Sequence, residues 1–112
     1  MSEIQILINK IQLLEFHQKL LLELIRNPKL EFYRLIVESG LSRQEMEHFL
    51  SICDHLNEKF AEQKAEGFVH FHPLFAELKA ALPVRLNLNE VVHACLTQNL
   101  YGPLFQEFAK YL

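Results

Sequence analysis

Between Ile4 and Ile25 the apolar residues keep a spacing that leaves little choice of local structure. Ile4, Leu7, Ile11, Leu14, Gln18, Leu21 and Ile25 alternate steps of three and four, the a/d pattern of a heptad repeat, and only Gln18 is not a large aliphatic. A second line, Ile6, Leu13 and Leu20, recurs every seven residues elsewhere on the same helix. A helix with two apolar sides needs two sets of neighbours. One side is expected against the chain's own later helices and the other against a copy of itself. Ser2 stands where an N-cap belongs, and Pro28 pushes Asn27 out of helical geometry. At ~1.5 Å per residue the rod between them approaches ~35 Å, more than one compact subunit of this size requires.

The remaining chain reads as short helices separated by clear stop signals. Phe32, Leu35 and Ile36 mark a second helix from Lys29 to about Ser39, closed by Gly40. Ser42-Arg43-Gln44-Glu45 is a capping box, flanked by Leu41 and Met46 at the positions of a hydrophobic staple. It opens a third helix, Arg43 to about Glu66, with Met46, Phe49, Leu50, Cys53, Leu56 and Phe60 at helical spacing. Gly67 ends it, and Phe68-Val69-His70-Phe71-His72 is expected as an extended connector or a buried loop. Pro73 starts a fourth helix reaching about Leu82, Asn87 with Glu90 caps a fifth, and Leu104 to Leu112 forms a last short one. No strand, repeat or low-complexity tract interrupts this order.

Composition narrows the class. Half of the 112 residues are apolar, enough for a core, and the net charge is only −3. Acidic residues outnumber basic ones fourteen to eleven, which is not the footprint of a nucleic-acid binder. The rod is interrupted by Asn9, Lys10, Gln12, Glu15, His17, Gln18, Lys19 and Glu23, which hydrocarbon would penalise, so no membrane span is expected. Met1-Ser2-Glu3-Ile4 has no positively charged start of a signal peptide, and Cys53 and Cys95 stand alone as two reduced thiols. These features imply a cytoplasmic protein.

Several constellations invite chemistry. His70 and His72 form H-x-H, and His48 and His55 lie seven apart on the third helix; Cys53, Glu45 or Asp54 could complete a zinc set. No H-E-x-x-H or paired C-x-x-C fixes such ligands. Cys53 and His55, two apart on a helix, do not face each other, and the same holds for His93 and Cys95. The third helix resembles a DNA-reading element only in length. Glu45, Glu47, Asp54, Glu58, Glu62 and Glu66 against Arg43, Lys59 and Lys64 would repel phosphates. Phe68, Phe71 and Phe75 read either as a core plug or as an apolar rim on which a partner protein docks, and the C-terminal Tyr101, Phe105, Phe108 and Tyr111 present the same choice.

Ile52-Cys53-Asp54-His55-Leu56, followed by Gln63-Lys64-Ala65-Glu66-Gly67-Phe68-Val69-His70-Phe71, resembles the YhaI-like family of bacilli. Gly40-Leu41-Ser42 and Leu100-Tyr101 fit the same pattern, so the resemblance runs from about Phe32 to the C-terminus. It implies a small multihelical fold that assembles into oligomers and carries no functional residues over.

The sequence therefore predicts one all-α domain over 1–112 with five to six helices, residues 1–27 forming a long oligomerisation helix and 28–112 a helical body. Self-association is expected through Ile4, Leu7, Ile11, Leu14, Leu21 and Ile25. Isoleucine at a with leucine at d favours a dimer, while Gln18 at an a position leaves a trimer open. The expected function is that of a non-catalytic interaction or regulatory protein, without cofactor, that also binds another protein, with Phe68, Phe71 and Phe75 as the candidate surface. A histidine-based metal or small-ligand binder and a nucleic-acid accessory factor are the competing readings.

Overall fold

The computed structural model describes all residues, 1–112, and contains six helices and no strand. Helix α1 spans Glu3–Arg26, α2 Glu31–Glu38, α3 Arg43–Ala65, α4 His72–Ala81, α5 Leu88–Gln98 and α6 Gly102–Ala109. Local signals set most of these limits. The hydroxyl of Ser2 accepts from the Gln5 N–H at the start of α1, and the side-chain oxygen of Asn87 accepts from the Glu90 N–H at the start of α5. Ser42 and Glu45 complete the reciprocal capping box at the start of α3. Gly40 and Gly67, with φ of 69° and 95°, end α2 and α3 in left-handed turns, and the following N–H groups of Leu41 and Phe68 reach back to Ile36 and Gln63.

One continuous apolar core joins all six helices, with α2 lying between α1 and α5, α4 against α3, and α6 against α5 and α3. Phe32 stacks near Phe49 with 5.9 Å between ring centroids, and Phe60 meets Phe71 edge-on at 4.7 Å. Every fully buried residue is apolar. The fourth helix begins at His72, one residue before the proline expected to open it, with the buried Phe71 as its N-terminal boundary. The sixth begins at Gly102 rather than Leu104, because Pro103 is accommodated in its first turn.

Helix α1 meets the body along Phe16, Leu20 and Leu24, at steps of four, and this differs from the expected second line. Of Ile6, Leu13 and Leu20, only Leu20 is buried; Leu13 is half-buried and Ile6 is exposed. The reason is placement: everything from Met1 to Gln12 is exposed, because the first half of the helix borders the body only across open clefts, facing Gly40, Ser42, Glu45 and Arg85 without packing on them. The molecule is accordingly elongated, 54 × 34 × 21 Å. Its radius of gyration of 15.8 Å exceeds the about 13 Å expected for a compact chain of this length.

Side chains distant in sequence complete the helix ends that lack local caps. The Gln98 Oε1 accepts from the N–H groups of Phe32 (2.9 Å) and Tyr33 (3.2 Å) at the start of α2, where Leu30 offers no side-chain cap. His17 Nε2 donates to the Leu41 carbonyl at 2.7 Å, tying α1 to the turn before α3. The Tyr111 hydroxyl accepts from the Phe71 N–H at 3.0 Å and donates to Glu107 at 2.8 Å. Arg85 donates to both carboxylate oxygens of Glu45 at 2.8 and 2.7 Å and to the Gly40 carbonyl at 2.9 Å.

Two outcomes follow from these links. Gln98→Ala leaves two backbone donors unpaired and is expected to cost about 1–3 kcal/mol in urea unfolding. The hydrogen bonds from Arg85, and then from the Ser42 backbone, hold the Glu45 carboxyl below the usual carboxylate range. Because that value is lowered on folding, the stabilisation is present above the ordinary carboxylate range and is lost as pH falls through the folded value. Arg85→Leu should raise the Glu45 titration midpoint followed by carboxyl NMR and flatten the acid-side loss of stability.

Candidate interaction surface

At 3.6 residues per turn, the line Ile4–Leu7–Ile11–Leu14–Leu21–Ile25 lies roughly 140° around α1 from the face that holds Phe16, Leu20 and Leu24. The two faces come from one helix because its apolar residues follow two phases, one of which the body covers. None of the six seam residues is covered by later helices: their exposure runs from 47% at Leu21 to 79% at Ile25. Ile8 and Leu22 are also exposed and flank the seam on one side, widening the apolar stripe. The seam thus runs along the whole helix, past the body as well as beyond it, with Gln18 as its one polar interruption.

Surface area gives the stripe a scale. The subunit exposes 7300 Å². A compact chain of 13.2 kDa is expected to expose about 6,400 Å², so roughly 900 Å² is in excess. A stable interface removes about 800 Å² from each partner. The excess therefore matches one ordinary interface.

The aromatic run divides. Phe71 is buried against Phe60, and Phe75 is half-buried between Phe108 and Tyr111, with ring centroids 5.5 Å from each. Both belong to the core, so of the candidate surface Phe68, Phe71 and Phe75 only Phe68 faces solvent, with exposed Val69 beside it. The left-handed turn at Gly67 releases these two residues before the chain re-enters the core at Phe71. Phe105 and Phe108 are also buried, while Tyr101 and Tyr111 are half-buried with their hydroxyls hydrogen-bonded inward.

His48 and His55 lie exposed on α3, and His70 and His72 lie exposed at the start of α4 with ring centroids 6.2 Å apart. His72 packs on the Tyr111 ring instead, at 4.0 Å. Nowhere do three His, Cys, Asp or Glu side chains gather as a metal would require. Cys53 and Cys95 are buried, and burial pushes the Cys53 thiol well above its ordinary value and the Cys95 thiol up to about 12. A protonated, enclosed thiol is packing, not a nucleophile. The acidic residues Glu47, Asp54, Glu58, Glu62 and Glu66 of the third-helix region are all exposed, which places negative charge along its outer side. No helix is long and apolar enough to cross a membrane.

Sequence reasoning missed Phe16 as the anchor of α1, because the a/d pattern is the louder of the two. Its signal was the run Phe16, Leu20, Leu24 itself. A basic neighbour also marks it: the Arg43 guanidinium lies over the Phe16 ring, 4.7 Å from its centroid.

Residues 4–112 match the sequence model of a family described as a protein of unknown function, DUF1878, and the chain belongs to that family. The match includes the long first helix, whereas the resemblance read from motifs began only near Phe32. In the native protein at neutral pH, a thiol reagent such as DTNB is expected to leave both cysteines unmodified. Full reaction should require denaturant, and rapid native labelling of either thiol would contradict its burial.

Proposed function

We propose that this member of the DUF1878 family is a non-catalytic interaction or regulatory protein of the bacterial cytoplasm, which self-associates through α1 and binds another protein. The observation that carries the reading is the uncovered seam on α1. An aliphatic side chain moved from water into an interface contributes about 1.5–3 kcal/mol, and the seam offers six of them at heptad spacing. Coiled-coil pairing buries such a row by inserting each residue between four of the facing helix. The two reduced, enclosed thiols are in keeping with a reducing compartment. The likeness to the YhaI-like family of bacilli, whose expected fold is oligomeric, points the same way.

For a second protein, the free anchor is Phe68 with Val69, held out from the body at the start of the connector. A protruding aromatic fits a small apolar pocket on a partner. The histidine and nucleic-acid alternatives gain no comparable support: the imidazoles do not converge with other ligands, and the outer side of α3 is acidic.

The test is sedimentation of the intact chain. Leu14→Asp introduces a charge at the centre of the seam without touching the core, and is expected to lower the mass to that of one subunit while the helical circular dichroism of the body persists. An unchanged assembly mass would overturn the seam. Phe68→Ala is expected to leave the mass as it is and to weaken only capture of the second protein.

A further inference from the structure

We infer that the cleft between α1 and α3 receives an acidic amphipathic helix of a different protein, which rests on the reading above that this chain binds a second protein and gives that contact a place and a charge. The cleft arises from the way α1 docks. Phe16 and Leu20 enter the body from α1 and Met46 meets them from the start of α3, leaving an open depression of about 400 Å³ outside them. Its floor is apolar, with half-buried Tyr33 of α2 and exposed Leu22 completing it. Its rim is basic. Lys19 and Arg26 stand on the α1 side and Arg43 on the α3 side, against the single acid Glu23. In a chain of net charge −3 this is a local reversal of sign.

None of the three cations has a carboxylate partner within the subunit, where the four ion pairs use Arg34, Lys59, Arg85 and Lys110. The chain has four arginines, and the two left without an ion pair, Arg26 and Arg43, both line this cleft. Arg43 lies over the Phe16 ring, which holds its guanidinium beside the cleft with its donors unspent. Charge complementarity therefore asks for carboxylates on the occupant.

The shape favours a peptide over a small molecule. Lys19, Leu22, Glu23, Arg26 and Arg43 are all exposed, so the cleft is open along its length, whereas a small-ligand pocket encloses roughly 70–90% of its ligand. Past Phe16, Lys19 and Arg43 the cleft runs on into a second depression lined by Asn9, Gln12, Gln44 and Glu15. The whole trough follows about 25 Å of α1, the length of a helix of about 17 residues. An amphipathic helix lays its apolar face into such a groove. Lys19 and Arg26 are two turns apart, about 10.5 Å along the axis, and a helix running alongside matches them with carboxylates at the same spacing. Their face lies roughly 120° around α1 from the seam, so self-association leaves the trough open.

The experiment uses the intact chain and two fluorescein-labelled helical peptides of about 17 residues, alike in their leucine face and carrying either glutamate or lysine at the flanking positions. Fluorescence anisotropy is expected to show saturable binding of the glutamate peptide, about tenfold tighter than of the lysine peptide and weakened by salt. Lys19→Glu with Arg26→Glu should reverse the preference, and Lys19→Ala with Arg26→Ala should abolish it, both with unchanged helical circular dichroism. Leu14→Asp on the seam and Phe68→Ala on the connector should leave it as it is. Equal binding of the two peptides, or binding of neither, would overturn the docking site while leaving the Phe68 contact standing. Loss of binding in Leu14→Asp would move the peptide to the seam and overturn it as well. A fall in assembly mass on charge reversal would assign the trough to a contact between copies instead.

Discussion

A helix of eight residues cannot hold its own shape in water, yet the junction between α1 and the rest of the molecule passes through one. Helix α2 exists because Phe32, Leu35 and Ile36 are buried between α1 and α5, and because Gln98 supplies from α5 the cap that its own sequence lacks. Everything else about the position of α1 depends on that wedge. The His17 bond to the Leu41 carbonyl then fixes the helix at the turn leaving α2. Docking therefore stops where α2 and the start of α3 stop, near the middle of α1.

That limit explains the state of the first half of the rod. Helix α1 has 24 residues, but its covered contacts begin at Leu13 and Phe16. An isolated helical segment of about a dozen residues is marginal in water, whatever its propensity. The segment Glu3–Gln12 carries a side-chain cap at Ser2 and four isoleucines, a composition that gains most when apolar surface is removed from water. A helix that its own subunit covers on one side and only along half its length is physically consistent with an external neighbour completing it, which is the basis of the proposed assembly.

The parts of this fold that could be read from the chain are those whose causes are local. Ser42 with Glu45, Gly40, Gly67, Asn87, Pro28 and Pro73 act within four residues of themselves, and the helices begin and end where those residues direct. The exposed seam was legible for the same reason, since heptad spacing is a property of one segment. What could not be read is what acts across the chain. Gln98 caps a helix 66 residues away, and Tyr111 caps one 40 residues away. The division of the aromatic run is of this kind too. Phe68 and Phe71 look alike in sequence, and it is the Phe60 ring of α3 and the Tyr111 hydroxyl just beyond α6 that draw Phe71 inward.

The sharpest backbone feature of the molecule, the turn between α5 and α6, also has a structural account. Asn99 and Tyr101 both adopt left-handed conformations, with φ of 61° and 48°, and such strain at a non-glycine residue often marks a reactive site. Here each departure has a packing cause. Asn99 ends α5 as a left-handed cap, with the Leu100 N–H reaching back to the Cys95 carbonyl at 2.8 Å. Tyr101 turns so that its hydroxyl donates to the Asp54 carboxylate and lies 3.3 Å from the Leu50 carbonyl, both on α3. Burial, and then that bond, raise the phenol above its ordinary value, so it stays a neutral donor. The strain is spent clamping the C-terminal helix onto α3. The two motif blocks that carry the resemblance, around Asp54 and at Leu100-Tyr101, are thereby one contact in space, joining α3 to the start of α6.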